Sequence, residues 1–131
     1  MDPKRYREIL KGIQLDTIAL RALKANIHRE NMEGSMKIEF RENASYKNTE
    51  EGFEVSAQYV LIGKNKRRIA LRVDCTYDLF FTSEEEIDDE FFEIYKEFSL
   101  PLNLWPFFRE LVHSITSRMN IPPLTLPLLK R

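Results

Sequence analysis

Three segments in the middle of the chain alternate apolar and polar residues. They cover positions 36–41, 53–61 and 68–77. Alternation with a period of two places every second side chain on the same face, which is typical of a strand with one buried face. Gly63 to Lys66 lies between the second segment and the third, and so short a connection predicts an antiparallel hairpin. The pattern therefore predicts an antiparallel meander of these three strands.

The segment before this meander has an ambiguous pattern. The apolar residues of positions 13–27 fit a helix and a strand about equally well. In a strand, the change of parity between Leu20 and Leu23 would indicate a β-bulge. A short helix over residues 3–10, ended by Gly12, is predicted to precede this segment.

Two helices are predicted after the strands. Ser83 and Glu86 have the spacing of a capping box, in which the serine hydroxyl accepts from a first-turn amide and the glutamate reaches back. The helix that follows should end at Pro101, because proline has no amide hydrogen. A second helix should begin near Leu104, with Pro106 in its first turn. The residues that the first helix should bury are Ile87, Phe91, Ile94 and Phe98.

The second predicted helix carries more apolar surface than one contact can cover. Its main apolar stripe consists of Leu104, Phe108, Leu111, Val112, Ile115 and Met119. Trp105 and Phe107 fall outside that stripe, and the tail after Ile121 is apolar and rich in proline. The surplus could pack within the monomer. Alternatively, it could pack on a partner subunit and leave an apolar groove that accepts other chains.

Composition and charge narrow the class of protein. The 131 residues are enough for one domain, residues 1–131, with one core. A formal net charge of -1 argues against a nucleic-acid-binding protein or a membrane-surface protein. The single cysteine excludes an internal disulfide. Neither a signal peptide nor an apolar run of about 20 residues is visible, so we expect a cytoplasmic protein without direct membrane insertion.

No catalytic or metal-binding pattern is found in the sequence. Cys75 lies on the apolar face of a predicted strand, where a buried, unreactive thiol is the usual state. No pattern places His28 or His113 near this cysteine, and the acidic run at 84–90 is explained by a solvated helix start. We therefore predict no enzyme activity, no cofactor and no metal. An enzyme remains the alternative if a histidine lies beside a carboxylate in a polar pocket.

The C-terminal third contains a recognisable combination of residues. Positions 104–110 form an aromatic–proline–aromatic helix start followed by Arg109 and Glu110, and Arg118 lies near the helix end. The tail reads Pro122-Pro123-Leu124-Thr125-Leu126. Together with Val73-x-Cys75-x-Tyr77 upstream, these motifs resemble the SecB family of export chaperones, over about residues 13–129.

The resemblance implies a fold, an assembly and an activity. The fold would be α+β, with a short N-terminal helix and a four-stranded antiparallel sheet, whose first strand is residues 13–27, packed by two main C-terminal helices. The protein would be an ATP-independent holdase that binds unfolded polypeptides in apolar grooves, and a homotetramer built as a dimer of dimers. The groove residues would be Phe40, Tyr46, Phe53, Trp105, Phe107, Leu124 and Leu126. The residues at or near subunit contacts would be Val73, Cys75, Tyr77, Phe108, Leu111, Val112 and Ile115.

Some residues depart from the SecB family pattern, and these departures concern binding of the SecA motor. In the export chaperones, carboxylates on the first and last strands contact the SecA motor. Asp74 matches the last-strand acid, but no carboxylate occurs in residues 17–29, and the given sequence ends at Lys130-Arg131 without the family's acidic, motor-binding extension. These departures argue against SecA. The N-terminal helix and the tail are more similar to the SecB-like chaperones of toxin–antitoxin systems, whose client is an aggregation-prone antitoxin. The alternatives are general export and a dedicated adaptor for a single partner in such a system.

Overall fold

The described part of the chain contains a helix, then four strands and then a long helical region. The structure is a computed structural model that describes residues 1–32 and 35–121. The helices α1, α2 and α3 are Pro3–Lys11, Asp89–Ile94 and Leu100–Arg118. The strands β1, β2, β3 and β4 are Ile13–Ile27, Lys37–Asn48, Gly52–Asn65 and Arg68–Ser83. A 3₁₀ turn, Arg29–Asn31, follows β1, and a π-helical turn, Tyr95–Ser99, joins α2 to α3.

The four strands form one antiparallel sheet in the order β1-β4-β3-β2. The predicted meander of three strands is confirmed, since β2, β3 and β4 are neighbours in chain order. Residues 13–27 form the first strand, as the resemblance implies, and β1 pairs with β4. A register shift between Leu20 and Ala22 confirms the bulge, and a second shift lies between Leu15 and Thr17. Pairing with β4 therefore selects one of the two conformations that the local pattern leaves open.

The hairpin between β3 and β4 is confirmed, but it turns later than predicted. β3 continues through Gly63 to Asn65, which pairs with Arg68, so the turn consists of Lys66 and Arg67. A register shift after Gly63 accommodates the longer strand. Lys66 has a φ of 59°, in the left-handed region that costs about 1 kcal/mol for a residue with a Cβ.

The predicted capping box is wrong. β4 continues to Ser83, whose amide donates to the carbonyl of Glu51 at 3.0 Å. The Ser83 hydroxyl donates to the carbonyl of Glu85 at 2.7 Å instead of accepting from a helix amide. α2 begins after Asp88, whose Oδ1 accepts from the amide of Phe91 at 2.8 Å. Pairing of β4 with both of its neighbours thus outweighs a single local cap interaction.

The predicted break between two helices at Pro101 is also wrong. The backbone stays helical over residues 89–118, and the π-helical turn at 95–99 takes the place of the break. In that turn the amide of Leu100 donates to the carbonyl of Tyr95, five residues earlier. The wider turn places Pro101 in the first turn of α3, where a missing amide hydrogen costs nothing.

The π-helical turn also explains two further differences between the predicted and the observed helices. α3 begins before Leu104, and Pro106 lies inside it rather than in its first turn. Phe98, predicted to be buried, is 50% exposed, because the π-helical turn rotates its residues away from α-helical spacing. Ile87 and Phe91 are buried as predicted, although Ile87 precedes the helix.

The hydrophobic core lies between the helices and one face of the sheet. We call this face the inner face and the opposite one the outer face. The inner-face residues of the central strands are buried: Phe53, Val55, Ala57, Tyr59, Leu61, Leu71, Val73, Cys75, Tyr77, Leu79 and Phe81. α1 covers one end of this core, where the Tyr6 ring stacks on Phe91 with centroids 5.0 Å apart. The Tyr6 hydroxyl also shares a hydrogen bond of 2.7 Å with Ser99.

Candidate functional site

The helical region runs beside the inner face of the edge strand β2, in the opposite direction. At one end, Asn48 Nδ2 donates to the carbonyl of Ile87 at 3.0 Å, and Asn48 Oδ1 accepts from the amide of Ile87 at 3.2 Å. At the other end, the rings of Phe40 and Trp105 meet with centroids 5.3 Å apart. The space between the strand and the helices forms a groove, which we call the β2 groove.

The centre of the β2 groove is an open cavity of about 330 Å³. The residues that line it are Glu42, Asn43, Ala44, Tyr59, Glu93, Lys96, Glu97 and Leu100. This volume is at the lower end of the range for ligand pockets in proteins. The cavity therefore has room for side chains of a bound segment, and the groove that contains it follows the strand.

An aromatic patch continues the β2 groove beyond this cavity. It consists of Phe40 and Trp105 at the surface, with Tyr59 and Phe108 buried beneath them. Phe40 is 40% exposed, and its ring lies 5.2 Å from that of Tyr59 and 5.6 Å from that of Phe108. Edge-to-face contacts of this kind hold rings in fixed orientations. The patch thus offers a firm apolar wall that remains partly open to solvent.

Carboxylates give the cavity a negative character. Glu42, Glu93 and Glu97 line it together with a single ammonium, that of Lys96. Lys96 Nζ lies 3.0 Å from Glu93 Oε1. Burial, reinforced by the charge of Glu42, raises the pKa of Tyr59, so its hydroxyl stays protonated and can donate a hydrogen bond. The groove therefore combines apolar walls with excess negative charge.

Tyr46 closes the groove at the end near Asn48. Its hydroxyl donates to Asp89 Oδ1 at 2.7 Å, and its ring lies 4.6 Å from that of Phe92. The hydrogen bond to Asp89, together with burial, raises the pKa of Tyr46 to about 12. This end of the groove is thus fixed by hydrogen bonds, whereas the end at Phe40 is held by ring contacts.

The three-dimensional fold, rather than the sequence, is similar to that of a known protein. No protein-family model and no curated protein matches the sequence. Among solved structures, the chain is similar to the Rv1957 SecB-like chaperone of Mycobacterium tuberculosis in complex with a ChAD peptide from the Rv1956 HigA1 antitoxin. The TM-score is 0.81 and the identity 22%, over 98% of this chain and 100% of that chain. The chain has the SecB-like fold.

A second solved structure is less similar. It is a protein of unknown function from Streptococcus agalactiae, with a TM-score of 0.48 and 12% identity over 88% of this chain and 97% of that one.

Within this SecB-like fold, the predicted groove residues separate into four groups. Phe40 and Trp105 meet in the aromatic patch, and Tyr46 lies at the closed end of the same groove. Phe107 is 47% exposed on α3. Phe53 has no exposed surface and stacks on another core ring, so it does not line the groove. The remaining two, Leu124 and Leu126, lie outside the described residues.

Most of the residues predicted at subunit contacts lie in the core of the SecB-like fold. Those buried in this way are Val73, Cys75, Tyr77, Phe108 and Val112. Leu111 and Ile115 are only partly buried and remain accessible to a partner. The subunit contact stays a prediction, and the buried members can contribute to it only by supporting exposed neighbours.

Among the exposed apolar residues that the sequence analysis missed, four lie in two pairs. Leu20 and Leu23 are 44% and 42% exposed on the inner face of β1, because the helices lie along β2 at the other edge. Phe98 and Leu102 are 50% and 53% exposed and lie one helical turn apart. No sequence signal indicates this pair, because the predicted helix ends at Pro101 between the two residues and the π-helical turn departs from α-helical spacing.

Asp74, the residue matched to the SecA-contacting acid, lies on the outer face of the sheet. Its Oδ1 accepts from Gln58 Nε2 at 3.0 Å, and its Oδ2 lies 3.5 Å from Arg72 Nη2. Both carboxylate oxygens thus already have partners within this chain. On β1, Arg21 donates to Asp78 Oδ2 at 2.8 Å, so the outer face carries paired charges of both signs.

Among the candidate chemical groups, His113 lines an open surface pocket of about 340 Å³ together with Pro106, Arg109 and Glu110, which is the arrangement named above for the alternative of an enzyme. Cys75 is buried, as predicted, and burial raises the pKa of its thiol to about 12. His28 Nδ1 lies 3.7 Å from Glu30 Oε1, but both side chains are at least half exposed, so they form a surface pair rather than a polar pocket. Across residues 1–32 and 35–121, no three His, Cys, Asp or Glu side chains are grouped as metal ligands. In that same part of the chain, no helix has both the length and the apolar character needed to cross a membrane.

Proposed function

We propose that this protein is an ATP-independent holdase chaperone of the cytoplasm, which binds non-native polypeptide segments in the β2 groove. The observation that carries the proposal is the half-exposed aromatic patch beside an open cavity in a SecB-like fold. An open groove that combines an aromatic wall with a solvent-exposed cavity, rather than a closed pocket, suits a binder of varied chains. The lone, buried cysteine is compatible with a reducing compartment.

The client in this proposal is an antitoxin. Support comes from the similar Mycobacterium tuberculosis chaperone, whose solved structure contains a peptide from an antitoxin. Preproteins for export are the second candidate client. Engagement of Asp74 by Gln58 and Arg72 favours the antitoxin client, because a motor that contacts Asp74 would have to displace these partners.

The proposal includes self-association, with a homotetramer as the assembly. Two exposed apolar surfaces support it: Leu20 and Leu23 on β1, and Phe98 and Leu102 on the helical region. Exposed apolar surface of this kind on a small chain marks contact sites. Because the pairs lie on different elements, two different contacts can be made, as a dimer of dimers requires.

The test is suppression of aggregation. Reduced insulin, whose B chain aggregates, is incubated with increasing amounts of this protein in the absence of nucleotide, and light scattering is recorded. Suppression near one groove per client chain supports the holdase. The same titration with an aggregation-prone antitoxin as the client separates the alternatives. Suppression of antitoxin aggregation alone would indicate a dedicated adaptor, and suppression of neither would end the proposal.

A further inference from the structure

The two edges of the sheet differ in regularity. β1 carries register shifts at two places along its pairing with β4. β2 pairs with β3 from Lys37 to Asn48 without any shift, and it contains neither proline nor glycine. Proteins block the addition of another strand to an exposed edge with bulges, prolines or charged side chains. β2 has no bulge and no proline, although it carries charged side chains, and that of Glu42 lies on the groove side. Within residues 1–32 and 35–121, no strand pairs with the outer edge of β2, so this part of the chain leaves the backbone groups of that edge available.

The turn between β2 and β3 shows which residues of β2 form backbone hydrogen bonds with β3. The amide of Thr49 donates to the carbonyl of Gly52 at 2.9 Å, so these two residues form a hydrogen-bonded pair. Such pairs alternate with non-bonded pairs along an antiparallel ladder. Because the β2–β3 register has no shift, the odd-numbered residues of β2 bond to β3. The amides and carbonyls of the even-numbered residues therefore point to the open edge.

These even-numbered residues are also the ones whose side chains face the β2 groove. Phe40 belongs to the aromatic patch, Glu42 and Ala44 line the cavity, and Tyr46 closes the groove. A strand placed beside β2 would continue the sheet with its own inner-facing side chains about 5 Å from these residues. The even-numbered residues of β2 would thus offer an added strand both backbone hydrogen bonds and side-chain contacts.

We propose that a client segment binds in extended conformation as a fifth strand on the open edge of β2. This inference rests on the proposed holdase function and specifies how the groove is used. The occupant is a non-native segment with alternating apolar residues, whose inner-facing side chains carry no carboxylate. A second copy of β2 fits less well, because its Glu42 would enter a groove already rich in carboxylates. Backbone pairing is independent of side-chain identity and so accepts many sequences.

Residue-resolved amide exchange tests the proposal. The probe is ribonuclease A that is reduced and alkylated with iodoacetamide, which keeps it unfolded, and its binding is followed in parallel by fluorescence anisotropy. On binding, the amides of Phe40, Glu42 and Ala44 should exchange at least about tenfold more slowly. The amides of Asn43 and Ser45, which bond to β3, should already be slow and stay unchanged.

Each other outcome has a distinct meaning. If the probe binds while the even-numbered amides keep their exchange rates, the strand-addition proposal is wrong although the holdase stands. Even-numbered amides that are already slow in the free protein would mean that this chain or a second copy covers the edge, which also overturns it. If neither the probe nor aggregating insulin interacts with the protein, the holdase itself fails.

A proline substitution gives a second readout. Ala44→Pro removes an outward amide and leaves the β2–β3 ladder intact, as prolines on edge strands do. We expect the Kd for the alkylated ribonuclease to rise about tenfold, since one backbone bond is lost and the proline ring obstructs its neighbour. Ser45→Ala, which keeps every amide and changes only a side chain on the outer face of the same strand, should bind as the native protein does. Equal affinities for the two variants would overturn the proposal, and if Ala44→Pro does not fold, the exchange experiment decides alone.

Discussion

Phe40 offers the most direct test of the β2 groove, because an equivalent ring exists on the opposite face of the sheet. Phe40→Ala removes a ring that is 40% exposed inside the groove. Phe80→Ala removes a ring that is 36% exposed on the outer face, where it lies opposite Glu54 and Thr17. The two changes remove the same atoms with similar exposure, and only one of them lies in the proposed site.

The expected effect follows from the area left for a client to cover. A phenylalanine side chain has roughly 200 Å² of surface, so a ring that is 40% exposed offers about 80 Å². At about 25 cal/mol per Å², complete coverage stabilises the complex by about 2 kcal/mol, which corresponds to about 30-fold in Kd. Phe80→Ala should change the Kd by less than about twofold.

Fluorescence anisotropy with labelled, alkylated ribonuclease A measures both affinities. Phe40→Ala should also lower the free energy of unfolding by about 2 kcal/mol, since the larger part of the ring is already packed in the core. Urea denaturation is therefore run on each variant, and binding is compared only where the protein is folded. Equal Kd values for both variants, whether raised or unchanged, would refute the assignment of this groove as the client site.

Three other substitutions probe separate parts of the molecule. Leu102→Glu, at a side chain 53% exposed, should change stability by less than about 0.5 kcal/mol and reduce the molar mass measured by light scattering. An unchanged mass would exclude that helix face as a subunit contact. The Cys75 thiol has its pKa raised by burial from 9.0 to about 12, so its contribution to stability is full below about pH 9 and is lost as pH rises towards about 12. Cys75→Ala should therefore lose less stability than the native protein between about pH 8 and pH 10.5, and an identical loss would contradict this. Gly52→Ala should cost about 3 kcal/mol in urea denaturation, because its Cβ would overlap the carbonyl oxygen of Phe81. Gly12→Ala, whose Cβ meets only a flexible carboxylate at 3.2 Å, is the control, and similar losses for the two would disprove the overlap.

The strands were predictable wherever alternation and pairing agree. The period of two in residues 53–61 and 68–77 reflects central strands whose inner faces are buried. Residues 13–27 could not be decided locally, because an edge strand with two bulges does not keep its parity. The capping box at Ser83 failed for a related reason: pairing with distant strands competes with a local cap, and the sequence shows only the cap.

The groove was predictable only in part. Phe40 and Phe53 occupy similar positions in alternating segments, yet one is exposed and the other is buried. The difference arises because Phe40 lies on the edge strand and Phe53 on a central one, and strand order is set by long-range pairing. The helix break predicted at Pro101 was wrong for another reason. The π-helical turn that precedes Pro101 has no recognisable pattern in the sequence.

The paired hydrogen bonds between Asn48 and Ile87 give the two ends of the β2 groove different chemistry. These bonds and the one from Tyr46 to Asp89 join strand and helix at one end through polar groups. At the other end, Phe40 and Trp105 join them through ring contacts. A segment bound along β2 would therefore have a preferred chain direction, because its polar and aromatic residues match the two ends in only one of the two orientations.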